Sequence, residues 1–293
     1  TTRYFRDKLA MRLRAQEAGL AVPRFVHVLN EAAIRRFCAE VPAPWVLKPR
    51  MEAGTIGIRK LHDEAALWST IDALGDRASY HLLEQFIPGD VFHVDSLVDH
   101  SRVLTAIASG YGRPPFDVSH SGGVFTTQLL PRGSADDRAL LTTNRAVLAA
   151  MGLVRGVSHT EFIKAHDGTW YFLETSARVG GAHIVELIEA ATGVNYWAEW
   201  ATIELAGGKT PYAPPVMRED YAGLITCLAK DEHPDLSAFA DPEVVWRMPK
   251  AYHAGVIVAS PSHARVSALV ADYAARFAAQ FSAFIPPGAT PRD

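Results

Sequence analysis

The sequence EFIKAHDGTWYFLE occupies residues 161–174 and places two glutamates on either side of an Asp-Gly pair. Asp-Gly between two apolar runs is a strong signal for a β-hairpin. A two-residue turn centred on Asp167 and Gly168 makes Glu161 and Glu174 direct cross-strand partners. Opposed side chains in a hairpin have Cβ atoms about 4.5–5.5 Å apart, and like charges so placed are destabilising. The pair therefore predicts a cation between the two carboxylates.

Magnesium is the cation that this ligand set favours, because Mg²⁺ is held by one or two carboxylates together with substrate phosphates. The alternative is a pair of solvated glutamates on an exposed hairpin. Phe162-Ile163 on one strand and the apolar residues 170–173 on the other predict a buried hairpin, and buried carboxylates need partners. We therefore predict a magnesium–nucleotide site, in a register that a β-bulge would break.

Composition sets the limits of the fold and of the function classes. The chain has 293 residues, 48% of them hydrophobic, which indicates one large domain or two smaller ones. A net charge of −3 gives no basic field for nucleic acid. Only two cysteines, Cys38 and Cys227, are present, which fits a reducing compartment and predicts a cytoplasmic protein. No apolar run approaches the ~18 residues of a membrane span.

The rest of the pattern alternates helices and strands. Predicted helices cover 6–18, 31–40, 64–74, 135–151, 179–191 and 262–281, and predicted strands cover 21–27, 45–48, 59–61, 80–86, 92–98 and 103–109. Residues 110–123 are expected to form a loop, and the tail beyond Pro286 to be frayed. The chain enters its first helix pattern without an initiator methionine, which suggests a processed or truncated chain.

Lys48 stands at the end of a predicted strand and is followed by the turn Gly54-Thr55-Ile56-Gly57. Such a turn can present an ammonium group and backbone N–H groups to phosphates. The turn is not a P-loop, because no Gly-Lys-Ser/Thr follows. It is not a Rossmann fingerprint either, because the glycine spacing differs and a strand follows. Taken alone, the segment favours the alternative of an ordinary hairpin turn beside a surface lysine.

Glu84 lies on a predicted apolar strand that leaves through Pro88-Gly89. A strand edge there can hydrogen-bond a nucleotide base while Glu84 accepts from an exocyclic amine. The alternative is a solvent-facing glutamate on a half-buried strand.

Arg178 shares a strand face with Glu174 and Ser176, because alternate residues of a strand point the same way. An arginine in this position is suited to clamp a phosphoryl group or a carboxylate. Gly180-Gly181, before a predicted helix, adds free N–H groups that favour an anion. The alternative is an arginine paired with Glu186 or Glu161.

Each signal is modest, but their order is specific. Lys8 is followed by Lys48-Pro49 with a Gly-Thr-x-Gly turn, by Glu84-Gln85-Phe86-Ile87-x-Gly89, by Glu161, and by Glu174-x-Ser176-x-Arg178. This ordered set, which runs from Arg6 to about Asn195, resembles the ATP-grasp superfamily. Within that superfamily it is most similar to carboxylate–amine ligases related to bacterial L-amino acid ligases and to biotin carboxylase.

The resemblance implies an α+β fold in which two α+β subdomains clasp ATP. Residues 1–90 would form a helix plus the small lid subdomain, 91–205 the large subdomain with the metal site, and 206–293 a C-terminal α/β extension packed on it. The N-terminal α/β domain that usually precedes the equivalent of Lys8 is expected to be absent from this chain or supplied elsewhere.

The resemblance also implies site residues. Residues implied in ATP binding are Lys8, Lys48, Gly54, Thr55, Glu84, Phe86, Ile87 and Asp95. Residues implied in holding one or two Mg²⁺ ions, with Mn²⁺ as a substitute, are Glu161, Glu174 and Ser176. Arg178 would stabilise the transferring phosphoryl group. Two positions depart from the family pattern: Ser176 replaces a frequent asparagine, and Val91 stands where a ribose-binding acid is usual, so Asp90 or Asp95 would have to substitute.

The implied activity is that of a ligase. ATP would activate a carboxylate as an acyl phosphate, and an amine would then form an amide with release of ADP and phosphate. The expected partners are a small-molecule carboxylate and amine, not nucleic acid or a membrane, and a homodimer remains open. Alternatives are a carboxylase-like or thiol-ligating enzyme of the same superfamily, or a non-catalytic nucleotide-binding module. The loop at 111–123, His159 and His183 have no assigned role.

Overall fold

The structure of the protein is a computed structural model that describes residues 2–284. Its helices are α1 (Lys8–Glu17), α2 (Glu31–Glu40), α3 (Glu64–Leu74), α4 (Pro115–Ser121), α5 (Ala135–Met151), α6 (Ile184–Thr192), α7 (Tyr196–Ala206) and α8 (His263–Gln280). Its strands are β1 (Phe25–His27), β2 (Trp45–Pro49), β3 (Arg59–Leu61), β4 (His81–Gln85), β5 (Gly89–Asp99), β6 (Arg102–Tyr111), β7 (Phe125–Leu129), β8 (Gly156–Ala165), β9 (Trp170–Ser176), β10 (Tyr221–Leu228), β11 (Val244–Arg247) and β12 (His253–Ser260). The tail expected to fray beyond Pro286 lies outside the described residues.

The smaller of two antiparallel sheets has the strand order β1-β4-β2-β3. Helices α2 and α3 supply its apolar cover, with Ile34, Phe37 and Leu67 packed among residues of the sheet. Both helices begin at a side-chain cap, Asn30 for α2 and Asp63 for α3, which satisfies a backbone N–H of the first turn. The sheet places β4, with Glu84, between two neighbours.

The larger sheet has eight strands in the order β11-β12-β10-β7-β6-β5-β8-β9, and every neighbouring pair is antiparallel. Helices α1 and α5 pack on one part of it around a core that includes Phe162 and Phe172. Strands β10 to β12 lie in this same sheet, because β10 pairs with β7. The fold is α+β, and the division at residues 90 and 205 stays a prediction. The helices within residues 2–284 include none whose length and hydropathy would suit a membrane span.

The glutamate hairpin has the expected register at the pair itself, because Glu161 is the direct partner of Glu174. The predicted two-residue turn is wrong. The loop of the hairpin has three residues, His166 to Gly168, and is closed by a hydrogen bond of 2.9 Å from the Ala165 N–H to the Thr169 carbonyl. Gly168 has a φ angle of 86°. A bulge at Leu173, where the register shifts between Glu161 and Phe162, then restores the predicted pairing.

Two predicted elements differ from the structure. The expected loop at 110–123 contains α4, which begins at Pro115, a residue suited to the first turn of a helix. The helix expected from Val179 begins only at Ile184, because Ala182 and His183 have φ angles of 51° and 64°. Positive φ is incompatible with a right-handed helix. The segment between Arg178 and α6 is therefore irregular, with a turn over residues 181–183.

Both cysteine thiols are free and buried. Burial raises the pKa of Cys227 to about 11 and raises the pKa of Cys38 above its ordinary value. Because the thiolate is the reactive form, we expect neither thiol to react with Ellman's reagent in the native protein at pH 7, and both to react after unfolding in guanidinium chloride. Rapid labelling of either cysteine in the native state would contradict this expectation.

Candidate active site

A cavity of about 420 Å³ lies between the two sheets. Its walls include all the predicted site residues except Asp95: Lys8, Lys48, Gly54, Thr55, Glu84, Phe86, Ile87, Glu161, Glu174, Ser176 and Arg178. Residues from α1, from both sheets and from the segment after β4 therefore meet at one place. His159 and Pro114–Asp117 also line the cavity, whereas His183 does not.

Glu161 and Glu174 form one end of the cavity. Lys8 Nζ lies 2.8 Å from Glu174 Oε2, and the Tyr111 hydroxyl donates to Glu161 Oε1 at 3.0 Å. Burial raises the pKa of Glu161, but the hydrogen bond and charge of His159 and the bond from Tyr111 outweigh burial and hold it below its ordinary value. Glu161 is therefore ionised at neutral pH.

The donor set at this end fits a hard divalent cation. Within residues 2–284, neither Glu161 Oε2 nor Glu174 Oε1 has a hydrogen-bond partner, so each carboxylate keeps one oxygen for a ligand. Ser176 adds a hydroxyl from the same strand face, opposite His159. Carboxylate and hydroxyl oxygens are the ligands that Mg²⁺ prefers.

Basic side chains face the carboxylates. Lys8 Nζ also donates to the Glu52 carbonyl at 2.7 Å, at the start of the segment Met51–Gly57. Arg178 donates to the Val179 carbonyl at 2.6 Å. In the part of the chain that the structure describes, Arg178 forms no ion pair, so the alternative pairings with Glu186 and Glu161 are not made. Its charge is available to a ligand.

Glu84 is almost completely buried, which excludes the solvent-facing alternative. Arg12 Nε lies 2.6 Å from its Oε1, and Lys48 Nζ lies 2.5 Å from its Oε2. Burial raises the pKa of Glu84, but the charges of Arg12 and Lys48 outweigh burial and lower it. Burial likewise lowers the pKa of Lys48, against the opposing effect of Glu84. Both oxygens of Glu84 are engaged by cations, so its expected contact with adenine stays a prediction.

Arg12 is a site-supporting residue that sequence reasoning missed. Its side chain is 0% exposed. It joins Glu84 of the small sheet to the large sheet, because Nη1 donates to the carbonyl of the bulged Leu173. Helical spacing contained the signal: Lys8 and Arg12 are four residues apart on α1 and therefore share a face. A site that includes Lys8 therefore has Arg12 next to it on the same face of α1.

The segment Met51–Gly57, which we call the lid, touches α4. The Thr55 hydroxyl donates to Ser119 Oγ of α4 at 2.6 Å. Gly54 and Gly57 have φ angles of 65° and 72°, which glycine adopts without steric cost. Residues 111–123, which were expected to form a loop, therefore contribute both a wall of the cavity and a contact for the lid.

Asp95 does not reach the cavity. It is 1% exposed, and its two carboxylate oxygens accept from His93 and His159. Burial lowers the pKa of His159, but the charge and hydrogen bond of Asp95 outweigh burial and raise it to about 10. This placement argues against a contact between Asp95 and a ribose. Val91, in contrast, does line the cavity.

Comparison with known proteins agrees with this geometry. The model of the ATP-grasp domain family matches residues 41–186, which include the lid, Glu84, both glutamates and Arg178. The chain is 26% identical over 204 residues to an L-arginine-specific L-amino acid ligase of Bacillus subtilis, covering 67% of this chain and 49% of that protein. It is 26% identical over 195 residues to a D-alanine–D-alanine ligase of Pseudomonas fluorescens (strain Pf0-1), covering 65% and 59%. The chain thus spans about half to three fifths of these curated relatives.

Solved structures show the same fold. An L-amino acid ligase from Bacillus licheniformis superposes with a TM-score of 0.66 at 20% identity, covering 92% of this chain and 71% of that one. A carboxyaminoimidazole ribonucleotide synthase from Aspergillus clavatus, complexed with ATP, superposes with a TM-score of 0.72 at 12% identity, covering 94% and 74%. Fold, site order and family model agree that the chain contains an ATP-grasp domain, matched over residues 41–186.

Proposed function

We propose that this chain is the core of an ATP- and Mg²⁺-dependent ligase that activates a carboxylate as an acyl phosphate and joins it to an amine. One observation carries the proposal: the opposed carboxylates of Glu161 and Glu174 share a cavity with the cations of Lys8, Lys48 and Arg178. Relatives named as ligases of amino acids support it. We propose a cytoplasmic location, in line with the two free cysteines.

ATP would lie along the cavity between the two sheets. Its phosphates would face Lys8 and Lys48 under the lid, at the end where the carboxylates stand. Its adenine would lie against the segment after β4, where Phe86 and Ile87 line the wall and Lys60 Nζ lies 3.6 Å from the Phe86 ring centroid. Apolar walls with a few placed polar groups are typical of such sites.

Glu161, Glu174 and Ser176 would hold the metal. A Mg²⁺ ion held by these residues would supply positive charge near the phosphates, where charge develops during transfer. Ser176 has a shorter side chain than the asparagine frequent in relatives, so the two glutamates would provide most of the binding. Mn²⁺ takes the same oxygen ligands and is expected to substitute.

The reaction divides into two transfers. A carboxylate oxygen of the substrate attacks the γ-phosphorus of ATP, the bond to the β–γ bridging oxygen breaks, and ADP leaves. Arg178 would hold the transferring phosphoryl group by paired N–H donors. The amine then attacks the acyl carbon, the carbon–oxygen bond to phosphate breaks, and the amine gives up a proton as the amide forms. A closed lid excludes water from the acyl phosphate.

The lid contact predicts a measurable effect on nucleotide affinity. Replacing Ser119 by alanine removes the acceptor of the Thr55 hydroxyl, and one hydrogen bond contributes about 0.5–1.5 kcal/mol net, so we expect ATP to bind about 2- to 10-fold more weakly. Isothermal titration calorimetry with Mg²⁺–ATP measures this change. Ser121→Ala, on the same helix but exposed, is the control and should bind as wild type does. Equal affinities in both variants would refute the contribution of the lid contact.

Isotope transfer tests the proposed reaction. The protein is incubated with Mg²⁺–ATP, an amine panel and carboxylates labelled with ¹⁸O in both oxygens. An acyl phosphate route moves one label from the substrate into the released phosphate, which mass spectrometry detects beside ADP and the amide. Label transfer from bicarbonate alone would instead indicate a carboxylase-like enzyme, and amide-free thioester formation a thiol ligase. Nucleotide binding without phosphate release by the folded chain would favour a non-catalytic module.

A further inference from the structure

A chain of hydrogen-bonded polar side chains crosses the large sheet behind the carboxylates. Thr127 Oγ1 of β7 lies 2.8 Å from His93 Nε2 of β5, and His93 Nδ1 lies 2.7 Å from Asp95 Oδ2. Asp95 Oδ1 lies 2.9 Å from His159 Nδ1 of β8. All four side chains are buried. A contact between Asp95 and ATP would not explain these hydrogen bonds, so the hydrogen-bonded network needs another explanation.

The donors in this chain follow from its acceptors. An ionised Asp95 only accepts, so both histidines donate through Nδ1. His93 Nε2 shares a hydrogen bond with the Thr127 hydroxyl, which leaves His93 with every ring nitrogen paired. The same argument fixes the ring of His159, whose remaining nitrogen, Nε2, points away from Asp95. Buried networks that satisfy each member are rigid.

His159 Nε2 and the Tyr111 hydroxyl converge on one atom of the carboxylate pair. The Tyr111 hydroxyl donates to Glu161 Oε1 at 3.0 Å, and His159 Nε2 lies 3.6 Å from the same oxygen. An ionised carboxylate only accepts, so the Tyr111 hydroxyl is the donor in this contact. Oε1 is therefore held from two sides, and Oε2 is left for a ligand.

Asp95 also lies directly beneath the segment that carries Arg178. A Cβ placed on Gly180 would lie 2.9 Å from Asp95 Oδ1 and 2.8 Å from Ile184 Cγ2. Only glycine leaves room for the carboxylate at this position. Asp95 thus contacts both halves of the site, the strand with Glu161 and the segment after Arg178.

We propose that Asp95 is a positioning residue of the metal end of the cavity: with His93 behind it, Asp95 orients His159, and His159 together with Tyr111 fixes Glu161 so that Oε2 faces the metal. The inference rests on the proposed function. His93, Asp95 and His159 also offer ligand atoms within 4.8 Å of one another. Their mutual hydrogen bonds account for that cluster, because both Asp95 oxygens are already engaged, and we do not assign it a metal of its own.

Metal affinity measured without turnover tests the proposal. Mn²⁺ is titrated into the protein saturated with a non-hydrolysable ATP analogue, and bound metal is followed by electron paramagnetic resonance. Partners that orient a metal ligand typically contribute about 10- to 100-fold in affinity. We expect a loss of that size for Asp95→Asn, since an amide cannot accept from both histidines, while the analogue alone binds as tightly as to wild type.

A matched control is available on the same strand. Asp99 is also buried and also accepts from a histidine, His100 Nδ1 at 2.8 Å, but His100 does not line the cavity, whereas His159 does. Asp99→Asn should bind Mn²⁺ as wild type does. Wild-type affinity in Asp95→Asn would overturn the inference while leaving the proposed function intact, and absence of Mn²⁺–nucleotide binding by the wild type would overturn both.

Tyr111→Phe keeps the test decisive if Asp95→Asn does not fold. This variant removes only the hydroxyl that donates to Glu161 and leaves the ring in place. We expect a several-fold to about 10-fold loss of Mn²⁺ affinity with unchanged binding of the analogue alone. Unchanged Mn²⁺ affinity in Tyr111→Phe would show that Glu161 does not depend on this support, and would overturn the proposal.

Discussion

Replacing Glu174 by glutamine is expected to lower carboxylate-dependent phosphate release by about 10²- to 10³-fold, the size of effect that removal of one preorganised electrostatic group produces. The amide keeps the shape of the side chain but removes the charge that would hold the metal and that pairs with Lys8 at 2.8 Å. Phosphate release from Mg²⁺–ATP, with and without the carboxylate identified by the labelling experiment, measures the loss.

The same variant has a second signature in binding. Lys8 loses its anionic partner in Glu174→Gln, so metal-free ATP should bind at least as tightly as it does to wild type. Glu219→Gln, an exposed position outside the cavity, is the control and should change neither quantity. Turnover by Glu174→Gln within a few-fold of wild type would remove Glu174 from the metal site.

Replacing Arg12 by methionine is expected to reduce the free energy of unfolding by about 3–5 kcal/mol, because Oε1 of the buried Glu84 loses its cation and Lys48 alone remains beside the carboxylate. Arg12 is the cation on Glu84 Oε1 and a donor to the Leu173 carbonyl, so the variant breaks contacts to both sheets. Equilibrium unfolding in urea measures the change.

Arg14→Met is the matched control for Arg12. Arg14 lies on the same helix, but its ion pair with Glu17 is exposed, and exposed pairs contribute about 0–1 kcal/mol. Equal destabilisation by the two arginine substitutions would refute a structural role for Arg12.

The predicted pairing of Glu161 with Glu174 is correct because two deviations from the predicted hairpin, one in the loop and one in the strand, cancel each other. The Asp-Gly signal indicated a two-residue turn, whereas the loop runs from His166 to Gly168, and the bulge at Leu173 shifts the strand back. Turn chemistry and apolar alternation are local and can be read from the chain. A bulge depends on what the strand contacts, and Leu173 presents its carbonyl to Arg12, which lies on a helix far away in sequence.

Residues that support the site were harder to predict than residues that line it. Lys48, the lid and Arg178 stand in short motifs with recognisable spacing. Asp95 was expected at a ribose, because the family pattern asks for an acid near Val91. Its actual neighbours, His93 on the same strand and His159 on the next, become visible only when β5 and β8 pair. Long-range register is the information that the sequence alone lacks.

The order of strands in the large sheet has a consequence for synthesis of the protein. Strand β7 is covered on one side by β6, and on the other only by β10, which follows after α5, the hairpin, α6 and α7. Translation at about 5–20 residues per second leaves that edge of the nascent sheet unpaired for roughly 5–20 s. Unpaired edges template aggregation. Ribosomes stalled before Tyr221 should therefore carry a chain that already contains every cavity residue yet recruits chaperones, and release past Ser260 should end that recruitment.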